Sequence, residues 1–291
     1  MWPYVIEQPF RIGTYGVMMA IGFLTALWLL TRELRRRNID VKVAETTIFL
    51  GILGGVLGSK LAYMLTEAET FRWQDLFSGS GLTWHGGLIL AAVFIIVYFA
   101  SRRLPLPVML DAVAPMLASG YAFGRIGCQL AGDGDFGIPC TPGTLADKFC
   151  MTYPQGIVPS PCVANGIQYD VCPVNAIDPT WLPVHPTPIY ESLTNFALFG
   201  VLWSLRRKLK HPGVLFALYL IAAGLLRFGI EIIRVDEGRP DRFWGLRDAQ
   251  LVALGEVALG IVIGTWARLR KVPAGQEFGV LAEAPATNRG R

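Results

Sequence analysis

Arg227, Glu231 and Arg234 are spaced i, i+4 and i+7, a spacing that puts all three on one face of a helix. Glu231 can pair with either arginine and hold its guanidinium in place. Arginine presents a planar fork of donors that fits phosphate oxygens. Arg125 and Lys60 lie in other apolar stretches of the chain. A charge at membrane depth costs roughly 3 kcal/mol or more and usually marks function. Positive charge collected there suits a phosphorylated headgroup, whereas a structural ion pair between helices is the plainer reading of Glu231.

His85 opens another apolar stretch, within Trp84-His85-Gly86-Gly87. Histidine can move a proton near neutral pH. Gly86 and Gly87 allow close backbone approach or an exposed N–H donor. An interfacial histidine beside an interfacial tryptophan accounts for the same residues. In Gly124-Arg125-Ile126-Gly127-Cys128-Gln129-Leu130-Ala131-Gly132-Asp133-Gly134-Asp135-Phe136-Gly137 the glycines can present N–H groups to an anion. Asp133 and Asp135 could hold a divalent cation or, more simply, cap a turn or pair with the arginines. Nothing in the sequence activates Cys128 as a nucleophile, so it reads as buried packing. His185 precedes Pro186 and Pro188 and reads first as a helix-start feature.

The elements that must carry these residues follow from composition. Of the 291 residues, 53% are hydrophobic and only 16% charged, and mean hydropathy is +0.44. Ordinary globular domains carry about 25% charged residues. This chain cannot cover its surface with polar groups in water, which argues against a soluble enzyme and a disordered protein. A net charge of +4 is too mild for a nucleic-acid partner. The start, MWPYVIEQPFRIG, lacks the basic region of a cleaved signal peptide. The first apolar segment is therefore expected to stay as a span.

A span needs about 20 mostly apolar residues. Seven candidates lie near residues 14–31, 45–65, 85–101, 107–130, 187–205, 213–233 and 247–267. The reading is an all-α integral membrane protein with seven transmembrane helices, residues 1–270, and a disordered cytoplasmic tail, 271–291. Basic residues set its orientation. Arg32, Arg35, Arg36, Arg37 and Lys42 follow span 1, Arg102 and Arg103 follow span 3, Arg206, Arg207, Lys208 and Lys210 follow span 5, and Arg268, Arg270 and Lys271 begin the tail. This places the N-terminus outside and the C-terminus in the cytoplasm. Tyr15, His85, Tyr190, Lys60, Arg125, Arg227, Glu231 and Arg234 then converge on the outer leaflet. Arg234, Arg239, Arg242 and Arg247 oppose the rule on the outside, either outvoted by the other loops or binding an anion there. In span 2, Gly51, Gly54, Gly55 and Gly58 form small-xxx-small pairs suited to helix packing.

The loop at 138–185 is rich in proline, which excludes a long helix, and holds Cys140, Cys150, Cys162 and Cys172. Between residues 131 and 187 it carries five Asp and one Lys. An acidic, cysteine-bearing outer loop suits one or two disulfides, with all three pairings open. A metal site is the weaker rival, because no CxxC occurs.

Taken together, these motifs resemble the prolipoprotein diacylglyceryl transferase family over residues 13–268. The resemblance rests on Tyr15-Gly16, His85-Gly86-Gly87, Gly124-Arg125 with Gly127, Gly132 and Asp133, His185-Pro186 through Tyr190-Glu191, and Arg227-Phe228 through Glu231 to Arg234. The chain departs from the family pattern at Cys128, usually Asn, at Asp133, usually Glu, and at Lys60, usually Arg. One extra residue brings Gly137 onto the motif's final glycine, and the outer loop is unusually rich in Cys and Pro.

The resemblance implies an enzyme of the bacterial cytoplasmic membrane with its active site near the outer leaflet. It implies transfer of the diacylglyceryl group of phosphatidylglycerol to the lipobox cysteine thiol of a prolipoprotein, with release of glycerol 1-phosphate and no metal or cofactor. Arg125 and Arg227 would hold the leaving phosphate, Glu231 would orient Arg227, and His85 would take the thiol proton. Tyr15, Lys60, Gly86, Gly87, Asp133, Gly137, Tyr190 and Arg234 would contact substrate. The alternative is a membrane protein that binds or carries phospholipid without chemistry. A transporter would be expected to show internal repeats and polar groups near mid-bilayer. No repeat is visible, and the charges sit near one face.

Overall fold

The computed structural model describes residues 2–6, 12–66, 83–164, 166–173, 176, 178–234, 245–272 and 277–281. Arg239, Arg242 and most of the tail expected to be disordered lie outside these. The described residues contain seven α-helices: α1 (Thr14–Arg36), α2 (Lys42–Thr66), α3 (Trp84–Ser101), α4 (Leu106–Ala131), α5 (Thr187–Leu205), α6 (Val214–Ile232) and α7 (Asp248–Leu269). Each overlaps one expected apolar stretch, since a helix is the cheapest way to satisfy a long apolar run. Five of them, α1, α2, α4, α6 and α7, are long and apolar enough to cross a membrane. α3 is apolar but shorter. α5 carries Glu191, Ser192 and Asn195 on its buried side, which lowers its apolar character.

The helix ends follow local chemistry. Asn38 takes a positive φ of 56° and stops α1, and the Asp40 carboxylate accepts from the Lys42 N–H to start α2. Pro188 sits in the first turn of α5, where a missing N–H costs nothing.

The chain forms two compact units. One comprises residues 27–113, 210–213 and 272–291. Here α2 and α3 pack through glycines: a Cβ on Gly54 would lie 2.6 Å from Ala91 Cα, and Gly58 faces the Gly86 carbonyl. This is the packing role expected of the span 2 glycines. The tail differs from expectation over residues 277–281, which are anchored. Arg37, buried and paired with Glu33, donates to the Gly279 carbonyl, while Asn38 donates to that of Leu281.

The other unit comprises residues 1–26, 114–209 and 214–271. Strands β1 (Tyr4–Ile6) and β2 (Ile12–Gly13) form an antiparallel pair ahead of α1. The described part of the loop at 138–185 folds around a three-stranded antiparallel sheet of β3 (Cys162–Ala164), β4 (Ile167–Tyr169) and β5 (Thr180–Trp181), in the order β4-β3-β5. Its disulfides join Cys140 to Cys150 and Cys162 to Cys172. Phe136, Tyr153 and Val184 form a small apolar core, with Met151 packed against it. Leu198, Leu202, Leu215 and Ala118 make a second core between α4, α5 and α6.

Candidate functional site

Four helix ends meet in the second unit, and the ionisable residues meet with them. Arg125, in the last turns of α4, is the hub. Its Nε lies 3.1 Å from Glu191 Oε2 and its Nη2 donates to the Tyr121 hydroxyl at 2.8 Å. Its Nη1 pairs with Asp135. The Tyr121 hydroxyl in turn donates to Glu191 Oε1 at 2.7 Å. Glu191 Oε1 also accepts from Arg227 Nη1 at 3.2 Å. One buried carboxylate therefore orients two arginines from two different helices. The Glu191 side chain is 4% exposed, those of Arg125 and Arg227 14% and 27%.

Arg227 Nη2 also pairs with Glu231 at 3.1 Å, one turn along α6. Of the two partners open to Glu231, the structure selects Arg227. Arg234 instead turns to Asp135. Arg247, at the start of α7, donates to the main-chain carbonyls of Glu231 and Arg234 and so satisfies the C-terminal end of α6. Asp135 thus ties α4 to the end of α6.

The turn that presents Asp135 explains the glycine-rich motif. Gly132 and Gly134 take φ of 62° and 94°, which favour glycine. They end α4 and swing the chain back so that Asp135, rather than Asp133, reaches both arginines. Gly137 then passes so close to Ile233 that a Cβ would lie 2.5 Å from its carbonyl oxygen. Asp133 Oδ1 is buried without a hydrogen-bond partner among the described residues. Cys128, Asp133 and Asp135 lie close enough to hold a cation, but two arginines already engage Asp135. Cys128 is a buried free thiol, as its packing role requires.

Tyr15 packs on Gly127, where a Cβ would lie 3.0 Å from its ring, and so stands beside the Arg125 turn of α4. The Tyr190 hydroxyl lies 3.5 Å from His185 Nδ1. Tyr153, in the loop, donates to Gln129 Oε1 at 2.9 Å. Burial pushes its phenol up to about 12.

Eight of the expected residues, Tyr15, Arg125, Asp133, Gly137, Tyr190, Arg227, Glu231 and Arg234, belong to this unit. Lys60, His85, Gly86 and Gly87 belong to the other. There Lys60 is buried in α2 and His85 is exposed at the start of α3. Gly86 and Gly87 press against Gly58 and Ser59 of α2, so both serve a helix contact. Glu191 and Tyr121 are the residues not singled out for the site from the sequence; the pairing of Asp135 with the arginines is the simpler of the two readings its motif allowed. An excess of positive charge was expected. Instead Arg125, Arg227, Arg234 and Arg247 share the unit with Asp133, Asp135, Glu191 and Glu231. The arginines are held in fixed directions rather than massed as unpaired charge.

Chemically, such a cluster can receive an oxyanion. A guanidinium has five N–H donors, and the ion pairs of Arg227 use two of its nitrogens. It is also the most exposed of the three paired arginines.

Comparison with known proteins points the same way. A family model described as prolipoprotein diacylglyceryl transferase matches residues 3–266. A phosphatidylglycerol–prolipoprotein diacylglyceryl transferase of Leptospira interrogans is 30% identical over 255 residues, covering 77% of this chain and 72% of the relative. Proteins of the same name from Clostridium tetani and Burkholderia multivorans are each 30% identical. They cover 90% of this chain and 95% of the relative, and 92% and 89%, respectively. A match over nearly the whole chain, carried by several relatives at this identity, means that the chain belongs to the prolipoprotein diacylglyceryl transferase family.

Proposed function

We propose that this chain is a membrane enzyme that transfers the diacylglyceryl group of phosphatidylglycerol to the lipobox cysteine thiol of a prolipoprotein. The observation that carries this reading is the pair Arg125 and Arg227 held by the single buried carboxylate of Glu191. The reaction forms a carbon–sulfur bond and breaks the carbon–oxygen bond to the phosphate. Glycerol 1-phosphate leaves with the electron pair, and the phosphodiester monoanion becomes a monoester that can carry a second charge. Fixed guanidinium donors stabilise that developing charge at no reorganisation cost. Arg227 offers the more exposed donors, Arg125 the more rigid ones. Glu191 and Glu231 keep both guanidinium planes in place, and Tyr15, Asp133, Gly137, Tyr190 and Arg234 line the substrate region.

The thiol must lose its proton, because the thiolate is the nucleophile. His85 is the candidate acceptor that the family resemblance offers, directly or through water.

The reading has seven spans, the N-terminus outside and this site near the outer leaflet of the bacterial cytoplasmic membrane. Support comes from the second unit, where the C-terminal ends of α4 and α6 meet the N-terminal ends of α5 and α7, as alternating spans require. The domain reading is one membrane transferase domain over residues 1–270, with the 138–185 loop inserted between α4 and α5.

The test is mass spectrometry of a lipobox peptide incubated with the purified protein and phosphatidylglycerol. A mass gain of one diacylglyceryl group on the cysteine is expected. Redistribution of lipid between vesicle leaflets without that product would support the lipid carrier instead.

A further inference from the structure

We infer that the Cys140–Cys150 disulfide is a positioning element for the arginine cluster, so that the rate of transfer depends on its being oxidised. The inference rests on the transferase reading of that cluster.

The argument starts from four short backbone segments laid side by side. The end of α6 at Ile233 and Arg234 pairs with residues 137–138, through Ile138 N–H to the Ile233 carbonyl at 2.9 Å and the Gly137–Arg234 bridge. Residues 137–140 pair on their other edge with 183–185. Gly137 N–H donates to His185 O at 2.7 Å, His185 N–H to Ile138 O at 3.2 Å, and Cys140 N–H to Pro183 O at 2.9 Å. Residues 183–185 pair in turn with Met151, which exchanges two hydrogen bonds with Val184 at 3.0 and 3.1 Å. Val184 therefore lies between Pro139 on one side and Met151 on the other.

The disulfide joins the two segments that flank Val184. Cys140 is in one, Cys150 in the other. No pairing is long enough to hold by its ladder alone: the three successive pairings rest on one, three and two main-chain hydrogen bonds. Isolated pairs of this length are marginal in water. The covalent link closes the stack.

Each end of the stack carries part of the site. Asp135, which pairs with Arg125 and Arg234, lies two residues before Gly137. Thr187, just after the central segment, donates its hydroxyl to the Asp135 carbonyl and begins α5, which delivers Glu191. A shift between residues 137–140 and 183–185 therefore changes the distance from Asp135 to Glu191. Those are the two carboxylates that hold Arg125, Asp135 at Nη1 and Glu191 at Nε. The Cys162–Cys172 link, by contrast, ties β3 to a segment that none of these pairings uses.

The test uses the full-length protein in phosphatidylglycerol-containing nanodiscs and a lipobox peptide reduced and freed of reductant beforehand. Transfer is followed by mass spectrometry for the oxidised protein, for protein reduced with a phosphine, and for the variants C140S/C150S and C162S/C172S. Rates are normalised to the folded fraction from size-exclusion and circular dichroism. The expected result is a fall in kcat on the order of tenfold to a hundredfold, the same on reduction and in C140S/C150S. The peptide KM should change little, C162S/C172S should fall less, and reoxidation should restore the wild-type rate. A link that merely keeps the protein folded would lower the folded fraction and leave kcat per folded molecule unchanged, which would overturn the inference. So would reduced protein and C140S/C150S that both match the oxidised wild type. Oxidised wild type without any product would instead overturn the transferase reading, and this inference with it.

Discussion

Glu191 Oε2 lies 3.1 Å from Arg125 Nε, and the carboxylate is almost wholly buried. Its other oxygen is shared by Tyr121 and Arg227. A buried carboxylate with one cationic partner offsets its desolvation only in part. Here two arginines and a hydroxyl offset it, Arg227 and Tyr121 by hydrogen bonds to Oε1 and Arg125 by an ion pair to Oε2. Its consequence is directional: both guanidinium groups lose rotational freedom before any substrate arrives. Pre-oriented donors serve an enzyme that must stabilise charge on a leaving phosphate.

Glu191→Gln keeps the shape and removes the charge. Transfer should fall on the order of a hundredfold, with phosphatidylglycerol KM raised because Arg227 loses one of its two anchors. Steady-state kinetics in nanodiscs checks this. Unchanged kcat and KM would show that Glu231 and Asp135 suffice to hold the arginines.

Asp135 and Asp133 separate by the same logic. Asp135→Asn removes one of the anchors of Arg125 and the ion pair of Arg234 together and should cost about tenfold or more in kcat. Asp133→Asn touches neither ion pair and should cost less. The ranking of the two variants in one transfer assay decides between them.

The α2–α3 contact makes a stability prediction. Gly54→Ala puts a methyl group against the Ala91 backbone, which cannot move aside. It should destabilise by about 1–3 kcal/mol. Gly55→Ala meets nothing within 4 Å and should be close to neutral. Thermal midpoints in detergent compare the pair directly.

The Tyr153 phenol, raised to about 12, makes a pH prediction. A group whose folded pKa exceeds its unfolded value, about 10 for Tyr, adds stability that is complete below 10. That stability is lost as pH rises through the folded value. The loop should keep its hydrogen bond to Gln129 up to about pH 12. Tyr153→Phe should remove about 1 kcal/mol and abolish that alkaline step in a denaturation series.

Much of this was legible in the sequence, for physical reasons. Runs near 20 apolar residues have few alternatives to helix, so all seven helices appear where expected. The i, i+4 and i+7 spacing puts Glu231 within reach of Arg227 and Arg234 on one helix face, and the structure takes the Arg227 pairing. Glu191 was legible in principle, because an acid in a predicted span follows the same rule that singled out Arg227. It was overlooked because the Pro186 and Pro188 flanks make that segment read as a helix start. The choice of Asp135 over Asp133 depends on the φ angles of Gly132 and Gly134, which local spacing does not specify. The cysteines pair with their next neighbours, each ten residues apart, a choice among three that spacing alone left open. The tail was read from composition, which does not reveal that Arg37 and Asn38 anchor residues 277–281.

The central claim is that Arg125 and Arg227 act on the leaving phosphate. The most direct measurement is diacylglyceryl transfer to a lipobox peptide by Arg125→Ala, Arg227→Ala and the matching Lys variants, each verified as folded in the membrane. The account expects no detectable product from either Ala variant. It also expects no full rescue by Lys, which cannot reproduce the fork of donors that Glu191 orients. Wild-type rates from both folded Ala variants would contradict it.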